Sequence, residues 1–231
     1  MTLARQATAE LVGTAFLVAA VVGSGIAAQR LSPGDVGLQL LENSIATGAV
    51  LVALILAFQP VSASFNPVVT LAERILGLVT TATAAALVAA QLAGALLGVV
   101  IANLMFDLEA VSVSGHERGG SGQFLGEVVA ALGLVLIVFG TLRSNRPETV
   151  AFAVGGYIAA AYWFTSSTSF ANPAVTIGRM FSDTFAGIAP GSVPGFIGAQ
   201  LLGGLIAVAL VSWLYPHIRE PAQAGTTLDQ H

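Results

Sequence analysis

The chain has 231 residues, 55 % hydrophobic and 9 % charged, with 8 Lys+Arg against 12 Asp+Glu and a formal net charge of −4. That charged share is far below the ~25 % of an ordinary globular protein, and the acidic balance excludes the basic footprint that nucleic-acid binding needs. Cysteine is absent, which excludes disulfides, thiolate metal sites and thiol nucleophiles.

Apolar runs of membrane length recur along the whole chain. The first predicted span, Thr8–Ala28, follows Arg5 and superficially resembles a signal peptide. It contains Glu10 and is echoed later in the chain, so it reads as a permanent span. Asn43–Gln59 is the second. Then come Ala63-Ser64-Phe65 and an Asn66-Pro67 pair that opens a short apolar stretch, Asn66–Leu76. Asn is a good N-cap and Pro is favoured at the first helical position. About ten residues at ~1.5 Å each give roughly 15 Å, half of a ~30 Å hydrocarbon core. The stretch is therefore predicted to be a half-helix starting inside the bilayer, with Glu73 and Arg74 at headgroup level.

A third span covers Thr81–Phe106, followed by the polar loop Asp107–Gly122, and the pattern then repeats. Gln123–Leu142 carries Glu127 in a segment resembling the surroundings of Glu10. Thr149–Phe164 is the fifth span. Ser169-Phe170-Ala171-Asn172-Pro173-Ala174-Val175-Thr176 restates Ser64-Phe65-Asn66-Pro67-Val68-Val69-Thr70 and opens a second half-helix, Asn172–Met180. Arg179 with Asp183 places its far end at headgroup level too. Val193–Tyr215 is the sixth span, and its Ala199-Gln200-Leu201 matches Ala90-Gln91-Leu92 of the third. Gly13, Gly94, Gly98, Gly198, Gly203 and Gly204 are expected at close helix crossings, and Trp213 and Tyr215 in an interfacial belt.

Three full spans per half is an odd number, so the second half must sit inverted relative to the first. The fold class expected is an all-α membrane protein of six transmembrane helices plus two re-entrant half-helices that meet N-terminus to N-terminus. Residues 1–216 form one transmembrane unit, with halves of about 1–106 and 123–216, and 217–231 a polar tail. Arg5, Arg74, Arg143, Arg146 and Arg219 fall on one side, and Arg30, Arg118 and Arg179 on the other. The positive-inside rule then puts both termini in the cytoplasm of a multi-pass inner (plasma) membrane protein, surrounded by lipid. His116, His217 and His231 have no metal-ligand spacing, so no metal or cofactor is expected, and no nucleophile–base–orienter set marks an enzyme.

The paired Asn-Pro motifs, the glutamate opening each half and the Ala-Gln-Leu helices together resemble the aquaporin, or major intrinsic protein, family over nearly the whole chain. The resemblance implies a passive channel for small neutral solutes such as water and glycerol-like polyols, assembled as a homotetramer. Asn66 and Asn172 would mark the pore midplane as side-chain donors, with the loop carbonyls of Ala63, Ser64, Phe65, Phe170 and Ala171 lining the path. Two positive helix ends converging there oppose a proton or cation. Glu10 and Glu127 read either as braces accepting backbone N–H groups of the loops or as the proton path of a coupled secondary transporter. The resemblance favours the brace.

Two departures from the family pattern stand out. Val68 occupies a place usually held by Ala, and Val175 the place where an Arg commonly follows the second Asn-Pro-Ala. Arg179 lies four residues on, a full turn further out, and is not expected to substitute. Carried over by spacing, the filter would be Ala46, Ala160, Ser169 (Phe170 if the loop is gapped) and Val175: small, apolar, uncharged and wide. With the Ser182–Ile188 segment, this pattern resembles the bacterial branch associated with arsenic resistance. That implies metalloid hydroxides or small organoarsenicals as candidate solutes.

Overall fold

The computed structural model describes residues 1–143 and 147–215. Arg146, His217, Arg219, His231 and the 217–231 tail lie outside them. Among the described residues eight α-helices follow in order: α1 Leu3–Leu31, α2 Val36–Phe58, α3 Pro67–Ile75, α4 Thr81–Met105, α5 Ser121–Arg143, α6 Val150–Phe164, α7 Pro173–Arg179 and α8 Val193–Leu214. By length and composition, α1, α2, α4, α5 and α8 can each cross a membrane, with mean hydropathy of 1.9 to 2.3 over their best windows. The sixth full-length span expected, α6, has only 15 residues and is entered through the 3-10 turn Pro147–Thr149. The first helix starts five residues before its predicted limit, because Thr2 rather than Thr8 accepts the N-cap bond, from Arg5 N at 3.4 Å.

The halves are built alike. In the first, α1 crosses α4 so closely that a Cβ at Gly94 or Gly98 would collide with the carbonyl oxygen of Leu11 or Ala15. In the second, α5 crosses α8, and a Cβ at Gly203 would collide with the Val128 carbonyl. Backbone contact of this kind is how helices associate where lipid supplies no hydrophobic drive. Gly198 is not such a position, since a Cβ placed there would meet nothing within 4 Å. Gly48 and Gly155 are, and each faces the other's carbonyl, which joins α2 of one half to α6 of the other.

The half-helices α3 and α7 pack between these pairs. Each starts at an Asn-Pro step and presents its first turn to the centre of the molecule. The segment after α4 returns over the far end of α7. Ser112 N and Ser114 N donate to the Phe181 and Met180 carbonyls at 3.2 and 2.8 Å, and Ala189 N donates to the His116 carbonyl at 2.7 Å. The loop so satisfies carbonyls left free just beyond the C-terminus of α7.

Candidate functional site

Asn66 and Asn172 meet at the centre. Asn66 Oδ1 accepts from Val68 N at 2.9 Å, and Asn172 Oδ1 accepts from Ala174 N and Val175 N at 3.0 and 3.2 Å. Each amide nitrogen reaches across to the other loop. Asn66 Nδ2 donates to the Ala171 carbonyl at 2.8 Å, and Asn172 Nδ2 to the Phe65 carbonyl at 2.7 Å. Each Asn thus caps its own half-helix and ties the two loops together. An amide nitrogen carries two N–H donors, so each keeps one beyond that tie.

The loops are held in a strained form. Phe65 and Ala171, the residues before each Asn, have φ of 47° and 50°, and Ser169 has 51°. Left-handed backbone at non-glycine residues costs about 1–3 kcal/mol each and lasts only where something else fixes it. Glu10 Oε1 accepts from Ser64 N and Ser62 Oγ at 2.8 and 2.5 Å, and its Oε2 from Phe65 N and Gln91 Nε2, both at 2.7 Å. Glu127 accepts from Phe170 N and Ala171 N, both at 2.9 Å, and from Gln200 Nε2 at 2.5 Å. Gln91 and Gln200 also donate to Thr70 Oγ1 and Thr176 Oγ1, both at 2.9 Å. The sequence shows the Ala-Gln-Leu repeat without its role: each Gln joins the buried glutamate to a Thr of its half-helix.

A cavity of about 300 Å³ passes both Asn residues. One wall is apolar and runs at helical spacing: Leu51 and Ile55 on α2, Val150, Val154 and Ile158 on α6, Leu134 and Val138 on α5. The other is polar, formed by Ala63, Ser64, Phe65, Asn66, Ser169, Phe170 and Asn172. Ala171 is not on it; its carbonyl is turned to Asn66. Glu10 and Glu127 are fully buried outside it, each 0 % exposed. Among the buried side chains, Ser169 Oγ has no described hydrogen-bond partner, and Ser169 faces the cavity.

At the α7 end the wall differs from the expected filter. Val175, Ser169 and Phe170 line it, but Ala46 and Ala160 do not. Ala160 is exposed on the outside of α6, and Ala46 is half-buried away from the cavity lining. The α6 wall follows 150, 154, 158 and 162, and Ala160 lies about 200° round from Ile158 at ~100° per residue. In their place stand Thr47 and Tyr162, joined by a 3.0 Å hydroxyl–hydroxyl bond. The stripe Thr47, Leu51, Ile55, Gln59 carried the signal. This end is therefore neither small nor apolar.

Nor is it uncharged. Arg179 lines the same cavity and is 3 % exposed, so its guanidinium is enclosed in protein. Its Nε donates to the Ala186 carbonyl, and its guanidinium carbon lies 3.5 Å from the Phe170 ring centroid. Arg118 lies 5.0 Å from the same ring, and donates to the Gly187 and Phe185 carbonyls at 2.8 and 3.2 Å. In the loop beyond, His116 is held below the ordinary imidazole value, first by partial desolvation and then by the Arg118 and Arg179 charges.

Val68 does not face the cavity. It is 1 % exposed, and its Cγ1 fills the place where a Cβ on Gly204 would stand. Its extra methyl groups occupy the gap left by that glycine.

The family model of the major intrinsic protein matches residues 1–149 and 143–231. A relative named aquaglyceroporin AqpS, from Rhizobium meliloti (strain 1021), is 52 % identical over 213 residues, which are 92 % of this chain and 91 % of its own. The X-ray structure of the aquaglyceroporin from Plasmodium falciparum superposes with a TM-score of 0.73 at 16 % identity, over 94 % of this chain and 99 % of that one. That likeness shows the fold.

Proposed function

The chain belongs to the major intrinsic protein family, and from that premise we propose how this multi-pass membrane channel for small neutral solutes selects them. Passage is passive, along the cavity between the two half-helices. The observation that carries the reading is the two-sided wall: aliphatic stripes from α2, α5 and α6 face a line of amide and loop groups ending in Asn66 and Asn172. A hydrogen-bonding solute exchanges water for the polar line while its other side rests on hydrocarbon. An ion leaves more hydration than that line replaces.

Thr47, Tyr162, Ser169 and Val175 form the selective constriction, with Phe170 behind them. Valine at 175 removes bulk where the family commonly has Arg, so glycerol-like polyols pass. Metalloid hydroxides and small organoarsenicals are the solutes of interest, on the resemblance of the second Asn-Pro motif to the arsenic-resistance branch. Residues 1–216 make the channel unit in an inner (plasma) membrane, with both termini cytoplasmic and the Arg179 mouth outside. Four copies assemble, each with its own pore, and native mass measurement in detergent reads that number.

The coupled-transporter alternative loses its proton path. Glu10 and Glu127 are enclosed by N–H donors and lie off the cavity, which suits braces. Stopped-flow swelling of proteoliposomes across a graded neutral-solute series tests the whole reading. Flux is expected to be downhill and indifferent to a protonophore. Accumulation above equilibrium that collapses with the proton gradient would sink it.

A further inference from the structure

The seventh residue after each Asn is charged, with opposite signs: Glu73 on α3 and Arg179 on α7. Both line the cavity. Each is met by the residue two before its own Asn. Ser64 Oγ donates to Glu73 Oε1 at 3.0 Å, and the Phe170 ring supports Arg179. The repeat thus builds one device twice, with a carboxyl at one mouth and a guanidinium at the other.

Arg179 is the more enclosed of the two. Among the described residues it makes no ion pair; a carbonyl and a ring face hold it. Burying an unpaired guanidinium is costly. A side chain needed only to fasten the Phe185–Gly187 turn has no use for that cost, because Arg118 already holds the carbonyls of Phe185 and Gly187. What Arg179 adds is a fixed charge on the cavity wall, in a site of low dielectric where charge acts strongly. Arg179 also sits in the last turn of α7, where the free carbonyls favour a cation.

We propose, on the footing of the channel reading above, that Arg179 is a specificity-determining residue of this pore. It repels cations at the outer mouth and offers its remaining N–H groups to oxygen-bearing neutral solutes. The charge that Val175 lacks is thereby supplied one helical turn outward. The displacement leaves the level of Val175 open to bulk while the pore stays closed to cations.

Potassium flux and glycerol swelling, measured in the same proteoliposomes of the full chain, test this. Wild type conducts glycerol and holds potassium. Arg179→Gln is expected to raise potassium leak by about tenfold or more, whereas Arg179→Lys, which keeps the charge and loses the planar fork, stays tight. Val175→Asp leaves every Arg179 contact in place and sets a carboxylate one turn below it, within i,i+4 pairing reach. It is expected to open the same leak, so the outcome does not hang on Arg179→Gln folding. Val175→Asp that reconstitutes at wild-type yield, as its size-exclusion profile and the protein content of the vesicles report, yet stays potassium-tight overturns the proposal. So does Arg179→Lys leaking as much as Arg179→Gln, which would make Arg179 an element of shape. Absence of glycerol flux in wild type is a different failure and strikes the channel reading itself.

Discussion

The two half-helices share a backbone frame and differ in the side chains hung on it. In both, a buried glutamate receives the N–H groups of the two residues before the Asn, a Gln from the third helix of that half clamps the glutamate, and the Asn ties to the opposite loop. Against that register, Ser64 corresponds to Phe170, Phe65 to Ala171, Glu73 to Arg179, and Val68 with Gly204 to Ala174 with Ala95. The two halves share the frame, in which a buried carboxylate accepts from strained loop backbone, and they differ at the mouths, where each charged residue and its neighbour form a local pair.

The largest effect comes from breaking the frame on either side. Glu10→Ala removes an acceptor shared by four donors, and Glu127→Ala does the same to the donors of the other half. Each buried donor left unpaired costs about 1–3 kcal/mol, so several together rival the whole margin of stability, about 5–15 kcal/mol. Both variants are expected to lose nearly all folded protein in size-exclusion profiles. Gln in place of Glu keeps one acceptor oxygen and should fall between. If a Gln variant folds at wild-type yield and loses only proton-dependent flux, the brace reading fails.

Next is the packing pair. Gly204→Ala drives a methyl into Val68 Cγ1, and overpacking of this kind costs about 1–3 kcal/mol. Val68→Ala together with Gly204→Ala brings in the small pair that the second half uses, and is expected to recover most of the loss in thermal melts. Additive destabilisation would mean the two residues do not share the space.

The frame was largely legible in the sequence. Paired Asn-Pro steps with a glutamate ahead of each are short, rigid and repeated, so period and composition reveal them. The pore wall was less so. Counting back twenty residues from Asn66, or twelve from Asn172, crosses a loop and a helix, and a slip of one or two residues turns the helix by ~100–200°. That is why spacing points to Ala46 and Ala160 where Thr47 and Tyr162 stand. The 150–154–158–162 stripe on α6 gives the better register, because it is internal to one helix. Arg179 departs from expectation for another reason. An Arg near a helix end ordinarily reaches headgroups, whereas this one is taken up by the Ala186 carbonyl in the segment after α7 and by the Phe170 ring, neither of which is adjacent to it in sequence.

Val175→Arg sharpens the contrast between mouths by adding a second guanidinium one turn below Arg179. It fills the opening with bulk. Glycerol flux is expected to fall by about tenfold or more, equivalent to ~1.4 kcal/mol of barrier, while water slows much less. Stopped-flow swelling reads both. Equal slowing of all solutes would show that Val175 does not set the size limit.

The smallest effect separates the two mouth pairs themselves. Ser64→Ala deletes the 3.0 Å bond to Glu73, whose carboxylate keeps access to the cavity and its water. A hydrogen bond replaced by water is worth about 0.5–1.5 kcal/mol net, so the melting temperature should fall by only a few degrees. Phe170→Leu at the corresponding position removes the ring under a guanidinium that is 3 % exposed. A desolvated cation–π contact contributes about 2 kcal/mol, and the ring also packs edge-on to Phe196 at 5.2 Å. Phe170→Leu should therefore destabilise clearly more than Ser64→Ala in parallel melts. Equal shifts would mean that Arg179 draws no support from the ring and that the two mouths are energetically alike despite their different chemistry.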